Sequence, residues 1–254
     1  MAGEIVTESH PFSAHVALVT GAGRGIGRAT SLHLSNLGAS VICVARTESE
    51  VKSCALEAGC NALPAACDIT SLASVQKLFS TVETTYGRLD YLVISSGAFH
   101  QGSLQTTTTA QFNDLFAVNV KAPLTLIQHA LPALMKSNGQ IVVINSSIIK
   151  ATNTAERGLY AATQTALKSL TDALRDEVNA KGVRVISIMP GTTATPRQEA
   201  IYQTAGKPYN PDLLLQPQDV AVALCNSLLL PRTAETTDIF IRPMQKFDVP
   251  REEK

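Results

Sequence analysis

Short, continuously apolar segments alternate with longer amphipathic segments along nearly the whole chain. Strands that are apolar along their entire length occur in parallel sheets that are covered on both faces. A β–α alternation that starts near the N-terminus is typical of a doubly wound α/β fold. We therefore predict about seven parallel strands with helices on both faces, the strands lying at residues 15–20, 41–45, 62–66, 92–94, 140–145, 183–189 and 238–242.

Helical periodicity fills most of the intervening sequence, and no linker or repeat divides it, so we predict a single domain over residues 1–254. One long segment, residues 192–216, has no clear periodicity and contains three prolines. Loops of this length are usually functional or disordered, which makes the segment a candidate substrate lid. The predicted helices lie at residues 25–37, 47–57, 71–86, 110–135, 157–181 and 217–230.

Charge and cysteine content exclude several classes of function. The 21 Lys and Arg residues equal the 21 Asp and Glu residues in number, whereas a nucleic-acid-binding protein needs a basic surplus. The five cysteines form no C-x-x-C pair, which predicts reduced thiols and no metal site. The first 14 residues lack the apolar run of a signal peptide, and no segment has the length of a membrane span. We expect a cytoplasmic protein without nucleic-acid or membrane partners.

A glycine-rich turn follows the first predicted strand and opens the first predicted helix. Glycines permit a tight turn and let backbone N–H groups approach a phosphate, while the helix N-terminus adds partial positive charge. The spacing differs from G-x-G-x-x-G because an isoleucine occupies the sixth position, but the placement is typical of a Rossmann dinucleotide site. The residues predicted to hold the dinucleotide here are Gly21, Gly23, Arg24, Gly25, Ile26 and Gly27.

The end of the second predicted strand favours NADP(H) over NAD(H). An acidic residue at this position would bind the 2′-hydroxyl of the adenosine ribose. This chain has Arg46 there instead, and Arg24 lies in the nearby glycine turn. Two guanidinium groups suit a 2′-phosphate, and the nearest carboxylates, Glu48 and Glu50, lie further along the chain.

These motifs and several others in the same order resemble the short-chain dehydrogenase/reductase family over nearly the whole chain. The glycine turn resembles the family's T-G-x-x-x-G-x-G, and Asp68, followed by Ile69, stands where the family contacts adenine. Residues 95–97 stand at the family's Asn-Asn-Ala-Gly motif, of which the glycine is retained. The resemblance implies further cofactor contacts from Ser95, Ser96, Gly97, Tyr160, Gln164, Pro190, Gly191, Thr193 and Thr195.

The resemblance also implies a reaction, the reversible transfer of a hydride between NADP(H) and a carbonyl or alcohol. Asn119 matches the asparagine that holds a water molecule in the family's proton relay. Ser147 lies 13 residues before Tyr160 and matches the serine that orients the carbonyl; this spacing favours it over Ser146. Tyr160 matches the general acid and base.

One catalytic position departs from the family, because its Tyr-x-x-x-Lys motif reads Tyr160-Ala-Ala-Thr-Gln164 in this chain. The i,i+4 spacing places Gln164 on the same helical face as Tyr160. Its amide can bind a ribose hydroxyl, but it supplies no charge to favour the tyrosinate. Lys168, one turn further, and Lys150, shortly after Ser147, are candidate substitutes for the lysine.

Three interpretations of Gln164 are open at this stage. The chain is a natural enzyme with a weakened or rerouted relay, a catalytically silent NADP(H)-binding protein with a regulatory or assembly role, or an engineered inactive variant. Retention of Asn119, Ser147 and Tyr160 favours some reductase activity.

The substrate class follows from the predicted pocket wall, which is mostly apolar and fits a medium-sized ketone or 3-oxoacyl compound. Residues 236–244 are similar to those of hydroxy-acid dehydrogenases and 3-oxoacyl-carrier-protein reductases. The family resemblance implies a homotetramer or homodimer assembled through the helices at 110–135 and 157–181. The predicted wall residues are Phe99, His100, Ile148, Ile149, Tyr202 and Tyr209.

Overall fold

A computed structural model describes residues 10–245 and contains one sheet of seven parallel strands in the order β3-β2-β1-β4-β5-β6-β7. The predicted doubly wound α/β architecture is therefore confirmed. The predicted domain limits at residues 1 and 254, and most of the N-terminal segment, lie outside the described residues. The strands are β1 (Val16–Thr20), β2 (Ser40–Ala45), β3 (Ala62–Ala66), β4 (Tyr91–Ile94), β5 (Gln140–Ile144), β6 (Arg184–Pro190) and β7 (Asp238–Ile241).

Helices cover both faces of this sheet and create two apolar cores. One core contains Leu18, Leu92 and Leu126, and the other contains Val19, Val93 and Leu224, so neighbouring residues of one strand face opposite layers. Within residues 10–245, no helix is both long enough and apolar enough to cross a membrane. The helices are α1 (Gly25–Asn36), α2 (Glu48–Ala58), α3 (Leu72–Tyr86), α4 (Thr109–Phe116), α5 (Ala122–Ser137), α6 (Gly158–Val178), α7 (Pro196–Thr204) and α8 (Pro217–Leu228).

The helix predicted over residues 110–135 is interrupted by a wide turn at Ala117–Lys121. The Ala122 N–H donates to the Ala117 carbonyl, five residues earlier, instead of the usual four. Pro123 contributes to the break, because it has no N–H to donate to the carbonyl of Asn119. The interruption aims the Asn119 side chain at the loop after β4, which helical periodicity alone does not predict.

The segment 192–216 is more regular than the sequence indicated. It contains α7 and a short turn at Pro211–Leu213, and it returns to the sheet through bonds from Ala194 N–H to the Leu215 carbonyl (2.7 Å) and from Leu215 N–H to the Thr192 carbonyl (3.1 Å). No residue of α7 is buried, so no apolar periodicity marks this helix in the sequence.

A buried carboxylate joins β1 to β4 at the edge of the sheet opposite the carboxyl ends of the strands. Asp90 is 3% exposed and accepts a hydrogen bond from the Val16 N–H at 2.8 Å. It also accepts from Arg88 Nε at 2.9 Å and Nη2 at 2.7 Å. The pairing satisfies both oxygens of a carboxylate that would be costly to bury alone.

We expect Asp90→Ala to lower the free energy of unfolding by about 2–4 kcal/mol, because it leaves a buried N–H without its acceptor and removes the partner of the half-exposed Arg88. Chemical denaturation of the purified protein measures this difference. Asp176→Ala removes an exposed carboxylate from α6 and is expected to change stability by less than about 0.5 kcal/mol. Equal stability of the two variants would contradict the assigned role of Asp90.

Candidate active site

A large cleft opens where the strand order reverses, at the carboxyl ends of β1 and β4. β1 continues to β2 and β3 on one side, whereas β4 continues to β5 and β6 on the other. The loops that leave β1 and β4 therefore diverge, and doubly wound folds bind ligands at this point. The cleft has a volume of about 1370 Å³. Every site residue predicted from the sequence lines it except Gly27, which lies behind the glycine turn.

The glycine turn forms one wall of the cleft and leaves no space for a side chain at Gly21 or Gly27. Gly21 has a φ of +71°, and a Cβ on it would lie 3.0 Å from the backbone of Ser95. A Cβ on Gly27 would lie 2.3 Å from the Gly21 carbonyl oxygen. No side chain caps the N-terminus of α1, and no acidic residue lies in its first turn. The free N–H groups and this close backbone packing fit the pyrophosphate of a dinucleotide.

The adenosine end of the cleft carries charges of both signs. Arg24 and Arg46 are exposed at its rim, as the sequence predicted for a 2′-phosphate site. Asp68 accepts bonds from the backbone N–H (3.0 Å) and hydroxyl (2.7 Å) of Thr70, which lower the pKa of its carboxyl. Glu50 lies closer than its sequence position indicated, because a Cβ on Gly23 would lie 2.6 Å from its Oε2 atom.

A continuous set of hydrogen bonds connects the floor of the cleft to α6. The side chain of Asn119 accepts from the Ala98 N–H at 2.7 Å and donates to the Ala98 carbonyl at 3.0 Å. It also donates to Thr163 Oγ1 at 3.1 Å, and that hydroxyl donates to the Tyr160 carbonyl at 2.8 Å. The Asn119 side chain thus holds the loop after β4 and the tyrosine-bearing helix together.

At the inner end of the cleft, Tyr160 packs edge-on against Phe99, with ring centroids 5.0 Å apart. Burial raises the pKa of the Tyr160 phenol, and a hydrogen bond with the Ser146 hydroxyl opposes this shift. The phenol is therefore neutral at physiological pH and can act as a proton donor.

The sequence spacing favoured Ser147, whereas Ser146 is the serine whose hydroxyl lowers the pKa of Tyr160 against the larger effect of burial. Both serines line the cleft. The Asn145 side chain accepts a bond from the Ser146 N–H at 2.7 Å, and the Ser146 hydroxyl accepts from the Ile148 N–H at 3.2 Å. These bonds orient the hydroxyl of Ser146 at the end of β5. Which of the two serines orients a substrate carbonyl stays a prediction.

Gln164 lies one turn from Tyr160, is 4% exposed and lines the cleft. Its backbone carbonyl accepts a bond from Asn145 Nδ2 at 3.0 Å, which fixes α6 against the end of β5. The two lysines considered as substitutes point elsewhere. Lys168 pairs with Asp172 and, at 3.1 Å, with Asp238.

Lys150, the other candidate, lies over the ring of Phe240, with Nζ 5.8 Å from the centroid. Neither lysine is among the described residues that line the cleft.

The segment after β6 contributes residues that the sequence predicted and one that it did not. Thr195 caps α7 by accepting from the Gln198 N–H at 3.2 Å, and its methyl group would lie 3.1 Å from a Cβ on Gly25. Thr193 is buried and donates to the Gly191 carbonyl at 3.0 Å. Arg197 was not predicted; it lines the cleft, and its guanidinium donates to the carbonyl of Gly97. A single arginine in an aperiodic segment gives no indication of this contact.

The predicted substrate wall is formed in part. Phe99, His100, Ile148 and Tyr202 line the cleft together with Ile201. Tyr209 packs edge-on against Tyr202, with centroids 5.6 Å apart, and supports the wall from behind. Ile149 is not among the cleft-lining residues of the described chain.

Comparison with known proteins agrees with this geometry. The family model described as short chain dehydrogenase matches residues 15–206, and the chain belongs to this family of oxidoreductases. An uncharacterized oxidoreductase of Staphylococcus epidermidis is 29% identical over 229 residues, which cover 90% of this chain and 97% of that protein.

Two solved structures illustrate the range of similar proteins. A metagenomic short-chain oxidoreductase in complex with NADP has a TM-score of 0.80 and 28% identity, covering 92% of this chain and 99% of that one. A 3-ketoacyl-(acyl-carrier-protein) reductase from Brucella melitensis, complexed with NADH, has a TM-score of 0.81, covering 90% of this chain and 97% of that one. At 23% identity, the second similarity shows the fold alone.

The two serines can be separated by matched substitutions. We expect Ser146→Ala to lower carbonyl reduction by about 100-fold, because one donor to a developing oxyanion contributes about that factor or more. Ser147→Ala is expected to reduce it less than about fivefold, since no contact with Tyr160 is lost. Initial rates with one reactive ketone measure both effects. A larger loss for Ser147→Ala would return the role to the serine that the sequence spacing favoured.

Proposed function

We propose that the protein is an NADP(H)-dependent carbonyl reductase or alcohol dehydrogenase. The observation that carries this proposal is that Tyr160, Ser146 and Ser147 line the same cleft as the glycine turn. When bound, NADPH would supply the hydride for carbonyl reduction. The glycine turn and the first turn of α1 would hold its pyrophosphate, and Asp68 and Ile69 would contact its adenine.

Ser146 and Tyr160 have different roles toward the substrate carbonyl. The Ser146 hydroxyl donates to the carbonyl oxygen and orients it, and Tyr160 gives its proton to that oxygen as the carbon is reduced. Because burial raises the pKa of Tyr160, the donor form is ready for reduction. The reverse reaction needs the phenolate, which accepts the proton of the alcohol.

The preference for NADP(H) rests on Arg24 and Arg46 at the adenosine end. A 2′-phosphate dianion gains charge-assisted hydrogen bonds from guanidinium groups. Glu50 opposes this gain, since its carboxylate lies beside the glycine turn. The 28% identical oxidoreductase that binds NADP supports the same assignment.

We expect the protein to bind NADPH at least about tenfold more tightly than NADH, since one charge-assisted hydrogen bond contributes about 1.5–3 kcal/mol. Arg46→Asp should erase or reverse this preference. Lys77→Asp, which makes the same charge change on an exposed position of α3, should leave it intact. Calorimetric titration with both cofactors measures the ratio, and NADH binding as tight as NADPH binding in the parent chain would refute the assignment.

The substrate pocket suits a medium-sized, largely apolar ketone or a 3-oxoacyl compound. Phe99, Ile148 and Ile201 provide its apolar wall, while Tyr202 contributes from α7. The segment 192–216 would act as the lid, because it lies over the inner end of the cleft and packs few side chains into the core.

Two further features of the sequence reading stay predictions: a single domain over 1–254 and a cytoplasmic location. We also propose assembly as a homotetramer or homodimer through α4–α5 and α6. This surface has apolar side chains that are exposed in the single chain, Phe112 (45%), Leu124 (40%) and Leu170 (39%).

One observation favours a second candidate function, a catalytically silent NADP(H)-binding protein. Gln164 replaces the family lysine, and Lys150 and Lys168 make contacts elsewhere. A cofactor-binding protein with a regulatory or assembly role would keep the cleft and lose turnover.

Restoring the lysine distinguishes these two functions. We expect Gln164→Lys to raise turnover of a reactive ketone by about tenfold or more, because an adjacent cation lowers a tyrosine pKa by about 1–3 units. The gain should appear in both reaction directions, which share one transition state, and Tyr160→Phe should abolish it. NADPH oxidation and alcohol-dependent NADP reduction measure the two rates.

Two results would count against this prediction in different ways. Strong activity of the parent chain that Gln164→Lys leaves unchanged would show that another group supplies the whole charge. No activity in Gln164→Lys across a broad ketone panel, despite tight NADPH binding, would favour the silent binding protein.

A further inference from the structure

Arg197 is a cation placed within the active-site cleft by an element other than the tyrosine-bearing helix. It lies in the first turn of α7, just after the capping Thr195. Its guanidinium donates to the Gly97 carbonyl in the loop after β4, next to Ala98, which Asn119 holds. The same hydrogen-bonded unit ends at the Tyr160 carbonyl through Thr163. Arg197 and Tyr160 line the same cleft, and the loop that Arg197 binds continues to Phe99, whose ring packs against that of Tyr160.

From this placement we infer that Arg197 supplies, through space, the positive charge that Gln164 lacks, and so favours the ionised form of Tyr160. The inference rests on the proposed reductase function, because it assigns the charge of that function's relay. Arg197 acts on the ionisation of Tyr160 and does not touch the substrate, so it is a positioning residue and not a catalytic one.

Each of the two side chains, Arg197 and Tyr160, shifts the pKa of the other. Burial is the main cause that raises the pKa of Tyr160, and the positive charge of Arg197 lowers it. Desolvation lowers the pKa of Arg197, and Tyr160 opposes that shift. Arg197 is accessible to solvent through the open cleft, so its effect on Tyr160 is smaller than that of a lysine one helical turn away.

The other groups near Tyr160 do not replace this charge. Ser146 and Gln164 are uncharged, and Phe99 presents its ring edge-on or tilted to the phenol. At the adenosine end, Arg24 lies close enough to lower the pKa of Arg197. The remaining charged or titratable side chains that line the substrate end of the cleft are His100, Asp114, Glu156, Arg157, Tyr202 and Lys207.

The direct test measures the titration of Tyr160 in the protein without cofactor. The ultraviolet absorbance of tyrosinate is followed against pH, and subtraction of the Tyr160→Phe curve isolates one of the chain's five tyrosines. We expect Arg197→Gln to raise the midpoint by about one pH unit. Arg197→Lys keeps the charge and should retain most of the parent value. An unchanged midpoint in Arg197→Gln would overturn the inference.

The Tyr160 titration of the parent chain can fall at a pH so high that the protein unfolds. In that case the effect of Arg197→Gln is measured in a chain that also carries Gln164→Lys. The added lysine lowers the Tyr160 pKa, which brings the titration to a milder pH. The upward shift caused by Arg197→Gln should persist there. Arg197→Met provides a second neutral variant should Arg197→Gln fail to fold, and thermal unfolding checks each protein.

Kinetics separates a charge effect from a structural one. Alcohol oxidation requires the phenolate, so its rate rises with pH through the pKa of Tyr160. We expect Arg197→Gln to move this rise to higher pH by about one unit and to lower kcat at neutral pH by about tenfold. Adding Gln164→Lys should restore both. If Arg197 merely held the loop after β4, the pH profile would not move and Gln164→Lys would not rescue the loss. That result would also overturn the inference.

The two proposals can fail separately. A shifted Tyr160 midpoint in a chain that reduces no carbonyl would refute the reductase function and leave the role of Arg197 standing. Carbonyl reduction with an unchanged Tyr160 midpoint in Arg197→Gln would support the reductase function and refute the role of Arg197.

Discussion

The active-site cleft depends on the two hydrogen bonds that the Asn119 side chain makes to the backbone of Ala98. They fix the loop that leaves β4 at the point where the sheet reverses its strand order. A third bond, to Thr163, connects that loop to α6 and hence to Tyr160. Since the cofactor wall and the proton donor belong to different halves of the sheet, a buried amide between them determines their relative position.

The helix between β4 and β5 is distorted at the residue that makes these bonds. The five-residue turn at Ala117–Lys121 gives up regular helical hydrogen bonding, and Pro123 cannot donate to the Asn119 carbonyl. The distortion turns a core-facing position of the helix into one that points a polar side chain at a loop. Wide helical turns are frequent at functional sites, and here the contacts of Asn119 provide the reason.

The sequence predicted the fold well and the site unevenly, for identifiable physical reasons. Continuous apolar strands and a glycine turn depend on local composition, so β1 and the start of α1 lie within one residue of their predicted bounds. The α7 helix was missed because it buries no side chain. Arg197 was missed with it, because its contact with Gly97 joins residues that are 100 positions apart.

The choice between Ser146 and Ser147 shows how a spacing rule can differ from the geometry. Counting back from Tyr160 crosses residues 151–157, an irregular loop in which one additional residue changes the result without disturbing the fold. Counting forward from β5 does not cross this loop, and the Asn145 contacts fix Ser146 relative to the strand. Positions next to a strand end are therefore more secure than positions counted through a loop.

In the family the cation that favours the tyrosinate lies on the tyrosine-bearing helix, whereas we propose that it lies on α7 in this protein. The pKa of Tyr160 would then depend on the position of α7. With Gln164→Lys the cation would be carried by the same helix as the tyrosine, so their separation would be fixed by a 21-residue helix that packs one face into the protein. Arg197 is carried by a nine-residue helix without buried side chains, held by the Thr195 cap, the short parallel contact at Thr193 and Leu215, and the bond to Gly97. Because the Coulomb energy falls with distance and with exposure to water, the tyrosinate is stabilised most when α7 lies against the loop after β4. Under the proposed mechanism, this arrangement would couple proton transfer by Tyr160 to the position of the segment 192–216.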